Sequence, residues 1–201
     1  MARILFIFTT KHKKMKKLAI VLVGLVMALP GFSQTKIGGN VMPNVMKVDG
    51  EYLKMNGGGI REKFFLDLYV CVLYVEDKTS DANTVINDDK KMAIKIKVIS
   101  GMVDNENFEE ALREGFDKST GGDISGVKDR METMIAEGFK EDIKTNDFYD
   151  LVYVPGTGTT LYKNDKALVT VKGLDFKKAL FGVWLCDEPA DDDLKEDLLG
   201  K

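Results

Sequence analysis

The chain has 201 residues, with 29 basic side chains, 32 acidic ones and a single histidine. Six of the bases (Arg3, Lys11, Lys13, Lys14, Lys16, Lys17) and the histidine, His12, lie in an N-terminal leader that holds no acid, so the remainder carries 23 bases against 32 acids, a net charge of −9. Such a domain is a poor partner for nucleic acid or anionic membrane surfaces, and without an imidazole it excludes Ser-His triads, Cys-His pairs and His-ligated zinc.

Residues 1–33 read as a signal peptide. Met15-Lys16-Lys17 is a short basic start, Leu18 to Leu29 is an apolar run of twelve residues, and Gly31 and Ser33 supply the small residues of a cleavage site. The run is well short of the ~18–20 apolar residues that span a bilayer. No cysteine stands at the cleavage point, which disfavours a lipoprotein. The expectation is an exported protein, periplasmic or secreted, whose residues 34–201 form one domain. Cys71 and Cys186 would then meet an oxidising compartment, but both sit in apolar runs, so two buried free thiols are the better expectation.

Along the mature chain, Asp49-Gly50 marks a turn between short extended segments within Val45–Met55. Phe64–Val75 reads as a long strand, apolar on both faces in its second half and therefore covered on both sides. Ser80–Asn87 suits a short helix. Met92, Ile94, Ile96 and Val98 alternate with Ala93, Lys95 and Lys97, which predicts a half-buried strand with a basic outer face. Two amphipathic helices follow. Asn107 is a candidate cap for the first, with Glu110 three residues on; the second spans about Ile124–Phe139. Strands are predicted at Phe148–Val154, Thr159–Lys163 and Ala167–Lys172, with Asn164-Asp165 as a hairpin turn. Leu174–Leu185 is helical, Pro189 ends it, and Asp191 is placed to cap a last helix over Ala190–Leu199. Hairpin-linked strands with separate helical runs indicate an α+β fold: a largely antiparallel sheet with a helical layer on one face.

Two stretches stand out: MNGGGIREKFFLDLYVCVLYV at Met55–Val75, and GLDFKKALFGVWLCDEPADDDLKEDLLG at the C-terminus. With EGF in a helix and YVPGTGT at a strand end, their order resembles the chalcone isomerase-like domain, in its bacterial secreted form, over roughly Lys36–Gly200. The resemblance implies the same α+β layout with a ligand cleft between sheet and helices. It also implies that Arg61 faces the cleft. There a guanidinium would hold a ketone or phenolate oxygen in the enzymes, or a carboxylate in the fatty-acid-binding branch, by charge-assisted hydrogen bonds. The bland alternative is a salt bridge to a neighbour such as Glu62 or Asp67. Tyr69 falls where the catalytic members carry threonine and the fatty-acid-binding branch has a tyrosine; the alternative is a core aromatic with a satisfied hydroxyl. Arg61 and Tyr69 are eight residues apart, about 26 Å along a straight strand at ~3.3 Å per residue. They converge only if the chain turns between them, near Glu62-Lys63.

Phe108 and Gly115 stand where the catalytic pattern has tyrosine and asparagine, so isomerase chemistry is disfavoured. Gly57-Gly58-Gly59 lacks the Lys-Ser/Thr of a phosphate-binding loop and leads into a strand, so a tight turn or bulge with positive φ is expected. Asp187-Glu188 and Asp191-Asp192-Asp193 lack the glycine and terminal glutamate of a calcium loop. No metal and no cofactor are expected. The leading function is a non-catalytic binding protein for a small acidic amphiphile such as a fatty acid, held by Arg61 and Tyr69, with no nucleic acid partner and no stable membrane insertion after signal cleavage. The alternatives are an intramolecular lyase of chalcone isomerase type, with Tyr74, Tyr149, Tyr153 or Tyr162 replacing the missing polar groups, and a pocketless module whose cleft is filled by Phe65, Phe108, Phe116 and Phe181.

Overall fold

The computed structural model describes residues 33–201, which form one unit with its own core; the signal-peptide expectation, apart from Ser33, lies outside them. Two short strands, β1 (Gln34–Ile37) and β2 (Asn40–Pro43), pair as a hairpin. Seven more form an antiparallel sheet in chain order: β3 (Val45–Val48), β4 (Glu51–Lys63), β5 (Leu66–Val75), β6 (Met92–Val98), β7 (Phe148–Val154), β8 (Gly158–Lys163) and β9 (Lys166–Val171). The helices are α1 (Ala82–Asn87), α2 (Asn105–Ser119), α3 (Lys128–Gly138), α4 (Leu174–Leu185) and α5 (Asp192–Leu198). The α+β expectation holds, with a curled antiparallel sheet and its helices on one face.

Strand period decides the layering. On β5, Tyr69, Cys71, Leu73 and Val75 join the core beneath the helices, while Val70, Val72 and Tyr74 join a second core on the opposite face. The β1–β2 hairpin contributes Met42 to that second core, and the Tyr74 hydroxyl donates to the Pro43 carbonyl at 2.7 Å. This explains why the second half of β5 is apolar throughout. Lys95 and Lys97, expected on a solvated face, are also partly covered: Lys95 lies 2.7 Å from Asp150, and Lys97 donates to Asn40 at 3.0 Å.

Three local expectations are corrected. Helix α2 is capped by Asp104, not Asn107, because the Asp104 carboxylate accepts the Asn107 amide at 2.8 Å. Helix α3 begins at Lys128; Ile124–Val127 form a turn before it. The three glycines are not a positive-φ turn. They lie inside β4, past a bulge at Asn56, because α5 crosses them at backbone contact. A Cβ at Gly57 would collide with the Asp197 carbonyl, and one at Gly59 with the Asp197 carboxylate. The Asn56 amide clamps the same seam, donating to the Leu198 carbonyl at 2.8 Å and the Thr79 carbonyl at 2.9 Å and accepting from the Thr79 amide at 2.8 Å. Cys71 is buried, Cys186 is half-buried, and both are free.

Lys177 is fully buried on α4. Its ammonium donates to the carbonyls of Val85, Ile86 (3.0 Å) and Asp88 (3.0 Å), satisfying the otherwise open C-terminus of α1. Burial pulls its pKa down to about 8.

Lys177→Met strands those carbonyls and should cost about 2–4 kcal/mol in chemical denaturation. The folded pKa lies below the unfolded one, so between them the unfolded chain binds more protons and stability rises with pH. The stability difference between wild type and Lys177→Met should therefore widen from pH 8 toward the ordinary lysine value of 10.5. Gly59→Ala should cost about 1–3 kcal/mol by forcing α5 off the sheet.

Candidate ligand-binding site

Arg61 and Tyr69 are brought face to face by a hairpin. Strands β4 and β5 pair in register with Arg61 opposite Tyr69 and Lys63 opposite Leu66, so the chain reverses at Phe64-Phe65, not at Glu62-Lys63. Both phenylalanines hold positive φ, +53° and +64°. The bulky pair gives no sequence signal for such a turn, which ordinarily uses Asn-Gly.

Both residues line a cavity of about 490 Å³ between β4–β5, α2 and the end of α4. Such a volume falls within the ~300–1,000 Å³ usual for small-molecule sites. The walls are largely apolar: Leu68, Val103, Phe108, Leu112 and Val183. Phe108 and Gly115, the positions where the catalytic pattern has polar side chains, line the same space. A Cβ at Gly115 would lie 2.5 Å from Val183 Cγ1, so glycine here lets α2 approach α4. A smaller apolar void of about 20 Å³ lies deeper, beyond Phe108, Leu112 and Trp184, which line both spaces.

The polar groups are few. Arg61 Nη1 donates to Asp191 Oδ2 at 3.0 Å and to the Glu62 carbonyl. Its salt-bridge partner is thus not Glu62 or Asp67 but an acid 130 residues away. Asp191 Oδ1 meanwhile accepts the Leu194 amide at 3.0 Å, capping α5, as its sequence position predicts. Among the described residues Arg61 Nε and Nη2 carry no hydrogen bond, so part of the guanidinium fork remains available on the cavity wall. The Tyr69 hydroxyl accepts from Trp184 Nε1 at 3.1 Å. An indole only donates, so the phenolic proton is left to donate elsewhere. Burial, and next Cys71, push the Tyr69 pKa up, which keeps it a neutral donor; the Trp184 hydrogen bond and the Arg61 charge oppose that shift. Nothing in the sequence pairs Trp184 with Tyr69, although a lone tryptophan in an apolar helix must find an acceptor.

At the rim, Glu114 pairs with Lys118 at 2.8 Å, and that hydrogen bond holds the carboxylate below its usual range. None of the four tyrosines considered as catalytic substitutes lines this cavity. Tyr74 faces the opposite side of the sheet, Tyr149 lines the deeper void, Tyr153 donates to Asp89 at 2.6 Å, and Tyr162 lines a groove of about 590 Å³ shared with Lys95 and Asp150. The cleft is not filled by aromatics either. Phe65 is 95% exposed, Phe116 and Phe181 belong to the core, and Phe108 forms one wall.

The sequence profile described as chalcone isomerase-like matches residues 34–200. The chain belongs to the chalcone isomerase-like family. No curated protein matches it. Among solved structures, it is similar to a fatty-acid binding protein of Arabidopsis thaliana, at 18% identity and a TM-score of 0.67, covering 83% of this chain and 96% of that one. At that identity the likeness is one of fold.

Asp191→Ala removes a helix cap and the partner of Arg61 together. It should cost about 1–2 kcal/mol in thermal or denaturant unfolding, and Asp191→Asn, which can still cap, should recover most of that loss.

Proposed function

We propose that this protein is an exported, non-catalytic binder of a small acidic amphiphile such as a fatty acid. The observation that carries the proposal is the pairing of a partly free guanidinium and a neutral tyrosine donor on one wall of a largely apolar cavity, whose other polar lining residues are Lys63, Asn107 and the Glu114–Lys118 pair. A carboxylate matches both donors, and an acyl chain matches the walls. Support also comes from the solved protein of the same fold, which is named for binding fatty acids. Export, and membership of a bacterial secreted branch, rest on the leader: a basic start, an apolar run and small residues at Gly31 and Ser33.

The isomerase alternative is weaker on chemical grounds. Phe108 and Gly115 bring no polar group to the cavity, Tyr69 is held neutral, and Glu114 is ionised and tied to Lys118 at the rim. Arg61 alone would polarise a carbonyl without a partner to move the proton.

The test is native mass spectrometry of a chain beginning at Gln34, with an organic extract of the same sample, followed by titration with a medium-chain fatty acid. Arg61→Ala should weaken binding about 10–100-fold through loss of a charge-assisted hydrogen bond, and Tyr69→Phe about 2–10-fold. Arg61→Ala should change stability by less than about 1 kcal/mol, since its ion pair with Asp191 is only partly buried. No retained acid and no measurable affinity in the wild type would defeat the proposal, and turnover of a chalcone would replace it with the isomerase.

A further inference from the structure

One side of the cavity mouth, opposite in character to the Glu114–Lys118 pair, is hydrophobic. Among the described residues, six large apolar side chains are exposed, and four of them are Phe64 (81%), Phe65 (95%), Leu66 (43%) and Met102 (61%). Phe64, Leu66 and Met102 line the cavity together with Lys63, and Phe65 completes the turn of the same hairpin. These are not scattered surface residues of the ordinary kind. They form one apolar patch at the entrance to a largely apolar cavity.

The backbone supplies a second and independent observation. The reversal between Lys63 and Leu66 uses a two-residue loop in which both residues have positive φ. Asn-Gly meets that requirement at least cost, and aromatic residues meet it poorly. The chain therefore places two large, exposed aromatics at the two positions where folding would favour others. Strain of this kind, held at the edge of a binding site, points to a use for the side chains rather than for the turn.

We infer that the Phe64-Phe65 hairpin tip docks the protein on a lipid bilayer, with the cavity mouth against the surface, so that an amphiphile passes between membrane and cavity without crossing water. The aromatics suit the headgroup–acyl boundary. Lys63 lies 5.9 Å from the Phe64 ring centroid, placing an ammonium beside the apolar tip where it can reach the headgroups. The nearby ionisable side chains Arg61, Glu62, Lys63, Asp67, Glu114, Lys118 and Asp191 carry no positive excess, and the whole domain is acidic. Attachment is therefore apolar and peripheral, directed to a neutral surface and insensitive to salt. It also fits the finding that no helix among the described residues is long and apolar enough to cross a membrane. The cargo rests on the binding function proposed above; the docking does not.

The experiment uses phosphatidylcholine vesicles and the chain beginning at Gln34, as wild type and as Phe64→Asn/Phe65→Gly. That double variant removes both aromatics while giving the turn its preferred residues, so it should fold at least as well as the wild type. Flotation with vesicles should recover the wild type equally at low and high salt, and the variant should partition at least about tenfold less. Phe65 is not among the residues lining the cavity, so fatty acid titrated in free solution should bind the single variant Phe65→Gly and the wild type alike, while its transfer out of labelled vesicles should slow in that variant. Failure of the wild type to float, equal flotation of the two forms, or flotation that disappears at high salt would each overturn the inference. So would a concentration-dependent dimer that the double substitution dissolves without any vesicle binding, which would assign the tip to a second copy of the chain. Flotation without fatty-acid affinity would leave the docking standing and remove the proposed cargo.

Discussion

The contact on which the arrangement depends is the crossing of α5 over the glycines of β4. A sheet normally keeps a helix at side-chain distance. Here Gly57 and Gly59 remove the side chains, and the last turn of the chain reaches the strand's backbone. Asn56 fixes one end of the seam by hydrogen bonds to Leu198 and Thr79. Asp191 fixes the other by receiving Arg61 and the Glu62 amide. The guanidinium is thus oriented from the C-terminus of the chain, and its position on the cavity wall follows from how closely α5 can lie.

The same geometry bears on what Arg61 is free to do. A salt bridge and a ligand-facing role are usually opposed, because a paired guanidinium has spent its charge. Asp191 divides its two oxygens between α5 and β4, and only one Arg61 nitrogen engages it. A planar fork with five donors can be held by one edge and offered by another. Asp191 therefore acts as a positioning residue for Arg61. The cost is moderated attraction for an anion, since the carboxylate repels what the guanidinium attracts.

Much of the fold was legible in the sequence because period and punctuation agree. Strand β7 and helix α4 fall where alternation and helical spacing put them, and Asp49-Gly50 and Asn164-Asp165 turn with positive φ as their residue types favour. The illegible parts share one physical cause: a residue type chosen for a distant partner. Phe64-Phe65 does not look like a turn, so the sequence implies the approach of Arg61 to Tyr69 but puts the reversal two residues early. Gly57–Gly59 looks like a loop until α5 is laid across it. Lys177 looks like a polar interruption of an apolar helix until its three carbonyl partners on and beside α1 are known. Local sequence offers Arg61 only neighbouring acids such as Glu62 and Asp67, whereas the acid that meets it lies 130 residues away.

The cavity's chemistry follows from what its polar groups can exchange. Proton transfer needs a group that titrates near the working pH and lies beside the reacting atom. Tyr69 is moved away from that range by burial, and its oxygen is already occupied by Trp184. Phe108 contributes area and no proton, meeting Tyr69 edge to face, tilted against Phe139 and stacked on Tyr149. Gly115 contributes only room for Val183 to pack. Each change from the catalytic pattern exchanges a proton or a polar contact for apolar surface or closer packing. The arginine is the one member of the set that functions without exchanging a proton, and that is the property on which the proposed anion binding relies.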